Sequence, residues 1–116
     1  MKQSDFPGLV FADRDKLSTF ILTCCRVCVR NTVNTYYEGW GQAHDHKFNW
    51  VEYELTPVLD FFVNKGAWVA YTVKVGNYPA IDGTPRARVQ IRYRVSAHNG
   101  GLYVYFRFNN GHWVVT

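Results

Sequence analysis

Apolar and polar side chains alternate from Arg86 to Asn109, RARVQIRYRVSAHNGGLYVYFRFN, and this pattern predicts two antiparallel strands. Asn99-Gly100 in its second half predicts the turn between them, because both central positions of a tight hairpin turn need positive φ and this dipeptide tolerates that. The register follows: His98 opposite Gly101, Arg94 opposite Tyr105, Tyr93 opposite Phe106, Arg92 opposite Arg107 and Ile91 opposite Phe108. Val89, Ile91, Tyr93, Val95, Leu102, Val104, Phe106 and Phe108 then share one face. Arg88, Arg92, Arg94, Tyr103, Tyr105 and Arg107 share the other. A second Asn-Gly pair, Asn110-Gly111, returns His112–Thr116 as a further strand with Trp113 and Val115 turned inward.

Upstream the period changes. Leu17, Phe20, Ile21, Cys24, Val27 and Cys28 recur at three and four residues, and Leu22, Cys25 and Val29 widen the stripe, so a helix is expected from an Asp13 N-cap to an end between Asn34 and Gly39. From Trp50 the positions alternate again. Val51, Tyr53, Leu55, Leu59 and Phe61 are expected on one side of a strand and Trp50, Glu52, Glu54, Thr56 and Asp60 on the other, with Pro57 restricting that strand to an edge or a bulge. Asn64-Lys65-Gly66 would turn it into Ala67–Val75 and pair Phe61 with Val69, Leu59 with Tyr71 and Leu55 with Val75. Asn77–Pro85 is a loop rich in breakers. The fold expected is a single α+β domain over residues 1–116, one long N-terminal helix packed on a curved antiparallel sheet of four to five strands.

At 116 residues the chain can bury roughly two-thirds of its unfolded surface without disulfide or metal staples. Charge divides it. Residues 1–60 hold six Lys/Arg against eight Asp/Glu, whereas residues 61–116 hold seven Lys/Arg against Asp82 alone, which favours an anionic partner for the sheet. Cys24, Cys25 and Cys28 are odd in number and clustered, a poor disulfide framework that points to a reducing, cytoplasmic setting. No stretch has the length of a membrane span, and Leu17–Val29, interrupted by Arg26, reads as a buried helix.

The order of helix, curved antiparallel sheet and strong hairpins resembles the cystatin-like class of folds. The stretch Asn109-Asn110-Gly111-His112-Trp113-Val114-Val115 is similar to the closing turn and strand of nuclear-transport-factor-two-like domains. Those domains carry more than one helix before the sheet, whereas the periodicity here predicts one. The resemblance implies either association through the sheet or a small-ligand or isomerase- or dehydratase-like pocket between helix and sheet. Val63-Asn64-Lys65-Gly66 with Tyr71, and Gly8, resemble parts of the cystatin inhibitory edge, but the loop lacks that family's Gln and second Val, and Trp113 lies beyond the expected second loop. Inhibition of cysteine proteases therefore stands last among the readings.

Three sets of residues are candidates for function. The basic face comes first: Arg88, Arg92, Arg94 and Arg107 with Tyr103 and Tyr105, extended by Trp50, Phe62 and Trp68 as exposed aromatics. Arg92 opposite Arg107 would be a destabilising pair, and Glu52, Glu54 and Asp60 would lie about 10 Å away, two strands over. A solvated face guarded by arginines is the bland alternative. The second set is a pocket lined by Tyr53, Tyr71, Tyr93 and Trp113, with His44 or His46 at its mouth. It has no inward Asp, Glu or His, so general acid/base catalysis lacks its main player. The third is Cys25 and Cys28 with His44, Asp45 and His46, a ligand set for Zn²⁺. Its cysteines lie inside a helix, so neither a metal nor another cofactor is expected. The chain is thus read as a non-enzymatic binding module whose outer sheet face meets a protein partner or a second copy, with single-stranded nucleic acid as the alternative occupant.

Overall fold

Leu17, Ile21, Cys25, Val29 and Val33 recur every four residues, and in the computed structural model they form the fully covered stripe of helix α1, Arg14–Tyr36. The structure describes residues 14–37, 48–77, 81–95 and 98–116. The Asp13 cap, Gly8, Glu38 to Lys47 with His44, Asp45 and His46, and residues 78–80 and 96–97 lie outside the described residues. The helix ends where expected, but its buried stripe is narrower. Val27 is exposed, and Thr32, the buried polar side chain of α1, satisfies its hydroxyl by donating to the Cys28 carbonyl at 2.8 Å.

The largest correction concerns residues 49–64. The strand expected from Trp50 is a second helix, α2, Asn49–Asn64, with Pro57 inside it. Val51, Leu55, Leu59 and Phe62 are all buried, a spacing of four, four and three, while Tyr53, expected inward, is 69% exposed. Proline within a helix costs about 3 kcal/mol. Burying four large side chains contributes roughly 1.5–3 kcal/mol each, so packing wins. Asn64-Lys65-Gly66 is accordingly a helix terminus and not a hairpin. Gly66 takes φ 81° and donates to the Val63 carbonyl at 3.0 Å, Ala67 donates to the Phe62 carbonyl at 2.9 Å, and the two bonds close α2 in a Schellman motif. The pairs Phe61/Val69, Leu59/Tyr71 and Leu55/Val75 do not form.

Among the described residues, the rest of the chain is an antiparallel meander of four strands, β1 Ala70–Asn77, β2 Arg86–Val95, β3 His98–Asn109 and β4 His112–Val115, in the order β1-β2-β3-β4. Asn110-Gly111 makes the expected turn, with φ 51° and 84°, and sets Phe108 opposite Trp113. Asn99-Gly100 does not. It lies within β3, where Val95 pairs with His98, Arg94 with Asn99, Tyr93 with Gly100 and Ile91 with Leu102. The expected pairings of His98 with Gly101, Tyr93 with Phe106 and Arg92 with Arg107 are therefore replaced. The slip is six residues, an even number, so each side chain keeps its face.

Ala87, Val89, Ile91, Leu102, Val104, Phe106 and Trp113 cover the inner face of the sheet and pack under both helices, α1 against β3 and β4 and α2 against β1. Phe48 fills the corner. It precedes α2 at φ 50°, an uncommon conformation for a bulky residue, and its ring meets Phe106 and Trp113 edge-on at centroid distances of 5.0 and 5.4 Å. Among the described residues the result is two layers, with both helices on one face of the sheet.

Candidate binding face

The observed register arranges the solvent face in rows. Across β1, β2 and β3 these read Ala70–Arg94–Asn99, Thr72–Arg92–Gly101, Lys74–Gln90–Tyr103 and Gly76–Arg88–Tyr105, and Arg86 and Arg107 form the next with Val114 of β4. None of the four strands contains Asp or Glu. Arg92 and Arg107, expected side by side, instead sit at opposite ends of the sheet, about 20 Å apart along the strand direction. Arg107 faces Arg86, a like-charge pair that the sequence reading missed because it depends on the true turn. Arg86 Nε is buried and, among the described residues, has no hydrogen-bond partner. Beyond the strand end, hydrogen bonds from the Thr84 hydroxyl and N–H, assisted by Arg86, hold the exposed Asp82 carboxyl below its usual range.

Tyr103 and Tyr105 occupy the centre of this face, 41% and 39% exposed, with ring planes 25° apart and centroids 6.4 Å apart. The Arg88 guanidinium lies 5.8 Å from the Tyr103 centroid, within cation–π range. Gln90, with its amide oxygen turned toward Arg92, accepts from Nη2 at 2.8 Å and Nε at 2.7 Å. Two hollows flank the tyrosines. A notch of about 120 Å³ is bounded by Lys74, Asn77, Arg88 and Gln90 at the bare backbone of Gly76. An open depression of about 620 Å³ lies toward the other end, among Arg92, Arg94, Asn99 and Tyr103 and the edges of Tyr71 and Tyr93.

Trp68, Phe62 and Trp50 do not extend this face. Phe62 is buried in α2, and Trp68 is 4% exposed and stacks on Tyr93 at 4.7 Å and 5°. The Tyr93 ring lies against Gly100, where a Cβ would come within 2.3 Å of its Cζ and Oη. That close approach gives Gly100 a role inside a strand. Trp50 is exposed on the helix layer, stacked on Tyr36 at 4.6 Å and edge-on to Tyr53 at 5.8 Å.

The expected pocket is dispersed. Tyr53 faces solvent, Trp113 is core, and only Tyr71 and Tyr93 line one hollow. Tyr71 donates to Asp60 Oδ1 at 2.5 Å, and burial followed by the Asp60 carboxylate pushes its pKa up to about 12. Glu52 Oε1 accepts from the Val75 N–H at 3.3 Å. Both α2 carboxylates were expected on an outer strand; Glu52 instead occupies a backbone N–H of the edge strand β1 and restricts further pairing there. The three cysteines are free thiols. Cys25 is fully buried, which together with Cys24 and Cys28 pushes its pKa up to about 12, and Cys28 Sγ donates to the Glu54 carbonyl at 3.5 Å. Thiolate chemistry is disfavoured at Cys25. Among the described residues no cluster of His, Cys, Asp and Glu could hold a metal ion, and no helix is long and apolar enough to cross a membrane.

Comparison with protein-family models, with curated proteins and with solved structures returns no match.

Proposed function

We propose that this chain is a non-enzymatic binding module that docks a negatively charged macromolecule on the outer face of its sheet. The observation that supports this reading is the composition of the face: Lys74, Arg86, Arg88, Arg92, Arg94 and Arg107 surround two exposed tyrosines, with no carboxylate on any strand. A solvated face would gain stability by mixing charge signs, and this one sets Arg86 against Arg107. A face-to-face pair of identical chains would place the same patch on both sides and oppose arginine to arginine. Of Glu52, Glu54 and Asp60, the acids expected to serve a second copy, Glu52 and Asp60 are engaged with Val75 and Tyr71. A different, acidic partner fits better. The similarity of Asn109–Val115 to nuclear-transport-factor-two-like domains, with two helices ahead of the meander, agrees with use of the sheet for association.

Retention on a heparin matrix tests the proposal when two charge-matched variants are compared. Arg92→Glu with Arg94→Glu reverses the sheet face, whereas Arg26→Glu with Arg30→Glu makes the same change in net charge on exposed positions of α1. The sheet variant should elute at clearly lower salt than the helix variant. Equal elution of the two would mean that overall charge, not this face, sets the interaction.

A further inference from the structure

We infer that the anionic partner is a single strand of nucleic acid, held with a phosphate in the notch at Gly76 and with bases on Tyr103 and Tyr105; this rests on the binding role proposed above for the same face. Charge alone would suit an acidic protein equally well. Three features of the centre of the face favour a nucleic acid.

First, the tyrosines are presented side by side with near-parallel rings 6.4 Å apart, so two successive unstacked bases can each find an aromatic surface. A carboxylate-bearing peptide gains nothing from that alignment. Second, the notch is small, about 120 Å³, and brings the cations Lys74 and Arg88 together with Gln90. One charged tetrahedral group, satisfied by several donors, fits this arrangement. It exists because Gly76 contributes no side chain opposite Arg88. Third, the notch and the tyrosines share Arg88, whose guanidinium borders the notch and lies over the Tyr103 ring. Phosphate and base sites therefore adjoin, as consecutive parts of one nucleotide require. Arg92, Arg94 and Asn99 around the open depression continue the cationic track beyond Tyr103. A duplex buries its base faces, so it could use the cations but not the tyrosines.

Gly76 provides a test that leaves charge untouched. A Cβ there meets nothing within 4 Å and the backbone lies outside the left-handed region, so Gly76→Leu places a side chain at the notch without backbone conflict. The probes are a labelled mixed-sequence single strand of about ten nucleotides, the matching duplex, and polyglutamate. Fluorescence anisotropy measures the first two and competition measures the third; thermal melts check that each variant folds. The single strand should bind more tightly than either other probe. Tyr103→Ala should weaken it roughly five- to a hundredfold. Gly76→Leu should weaken it about tenfold or more by removing charge-assisted hydrogen bonds to phosphate, and both variants should leave polyglutamate binding unchanged. If single strand, duplex and polyglutamate bind alike and neither variant matters, the nucleic-acid inference falls while the anionic docking face stands. If no probe binds and the heparin comparison also shows no difference, both fall.

Discussion

The two faces of the same four strands are built from alternate residues and obey different rules. Val89, Ile91, Leu102, Val104 and Phe106 point under the helices and are buried, whereas Arg88, Arg92, Tyr103, Tyr105 and Arg107, interleaved with them, point to solvent. The inner face accepts only side chains that pack. The outer face carries a charge pattern that packing does not require and that cross-strand repulsion opposes. On the binding role proposed above, the outer face is where a partner would dock.

Substitutions should separate the faces by size and by sign. The largest effect belongs to the core: Phe106→Ala should lower unfolding free energy in urea by about 3–5 kcal/mol, since the ring is buried between Phe48 and Trp113. Next comes the junction of the two faces. Gly100→Ala places a methyl within 2.3 Å of the Tyr93 ring, and the forced shift of the Trp68–Tyr93 stack should cost about 1–3 kcal/mol. Tyr71→Phe removes the hydrogen bond to Asp60 and should cost about 0.5–1.5 kcal/mol at neutral pH. The Tyr71 pKa is raised from 10.0 to about 12, so the neutral phenol is the form that folding favours. Its contribution is complete below pH 10 and is lost as pH rises toward 12, so the gap between wild type and Tyr71→Phe should close over that range in denaturation curves. The smallest effect has the opposite sign. Arg107→Glu replaces the repulsion with Arg86 by attraction and should raise stability by about 0.2–1 kcal/mol, while weakening single-strand binding and shortening its salt dependence. A variant that is both more stable and less able to bind would show that the outer face is maintained for its partner.

Which side chains share a face was legible from alternation alone, because an even slip in register preserves it. The register was not. Asn99-Gly100 and Asn110-Gly111 are the same dipeptide, yet only the second turns the chain. Gly100 and Gly101 serve β3 instead by giving room to the aromatic side chains of Tyr93 and Tyr103, a contact between residues that no local pattern displays. The helix α2 was hidden differently. Val51, Tyr53 and Leu55 alternate well enough to suggest a strand, and Pro57 argues against a helix. The positions Val51, Leu55, Leu59 and Phe62 carried the helical signal, and the Schellman terminus at Gly66 was present in the same letters that suggested a hairpin. For the candidate site, Arg88, Arg92, Arg94, Arg107, Tyr103 and Tyr105 were all legible and all lie on one face. The notch was not, because it is made by an absent side chain, Gly76, placed opposite Arg88 only by the pairing of β1 with β2.

The most direct test of the outer-face account is a backbone amide shift map of the whole chain, recorded by NMR as the single-stranded oligonucleotide is added. The account predicts that the perturbed amides cluster around Gly76, Arg88, Arg92, Tyr103 and Tyr105, and that α1 and the exposed Tyr36–Trp50–Tyr53 cluster of the helix layer stay still. Perturbations centred on the helix layer, with the sheet amides unmoved, would contradict it.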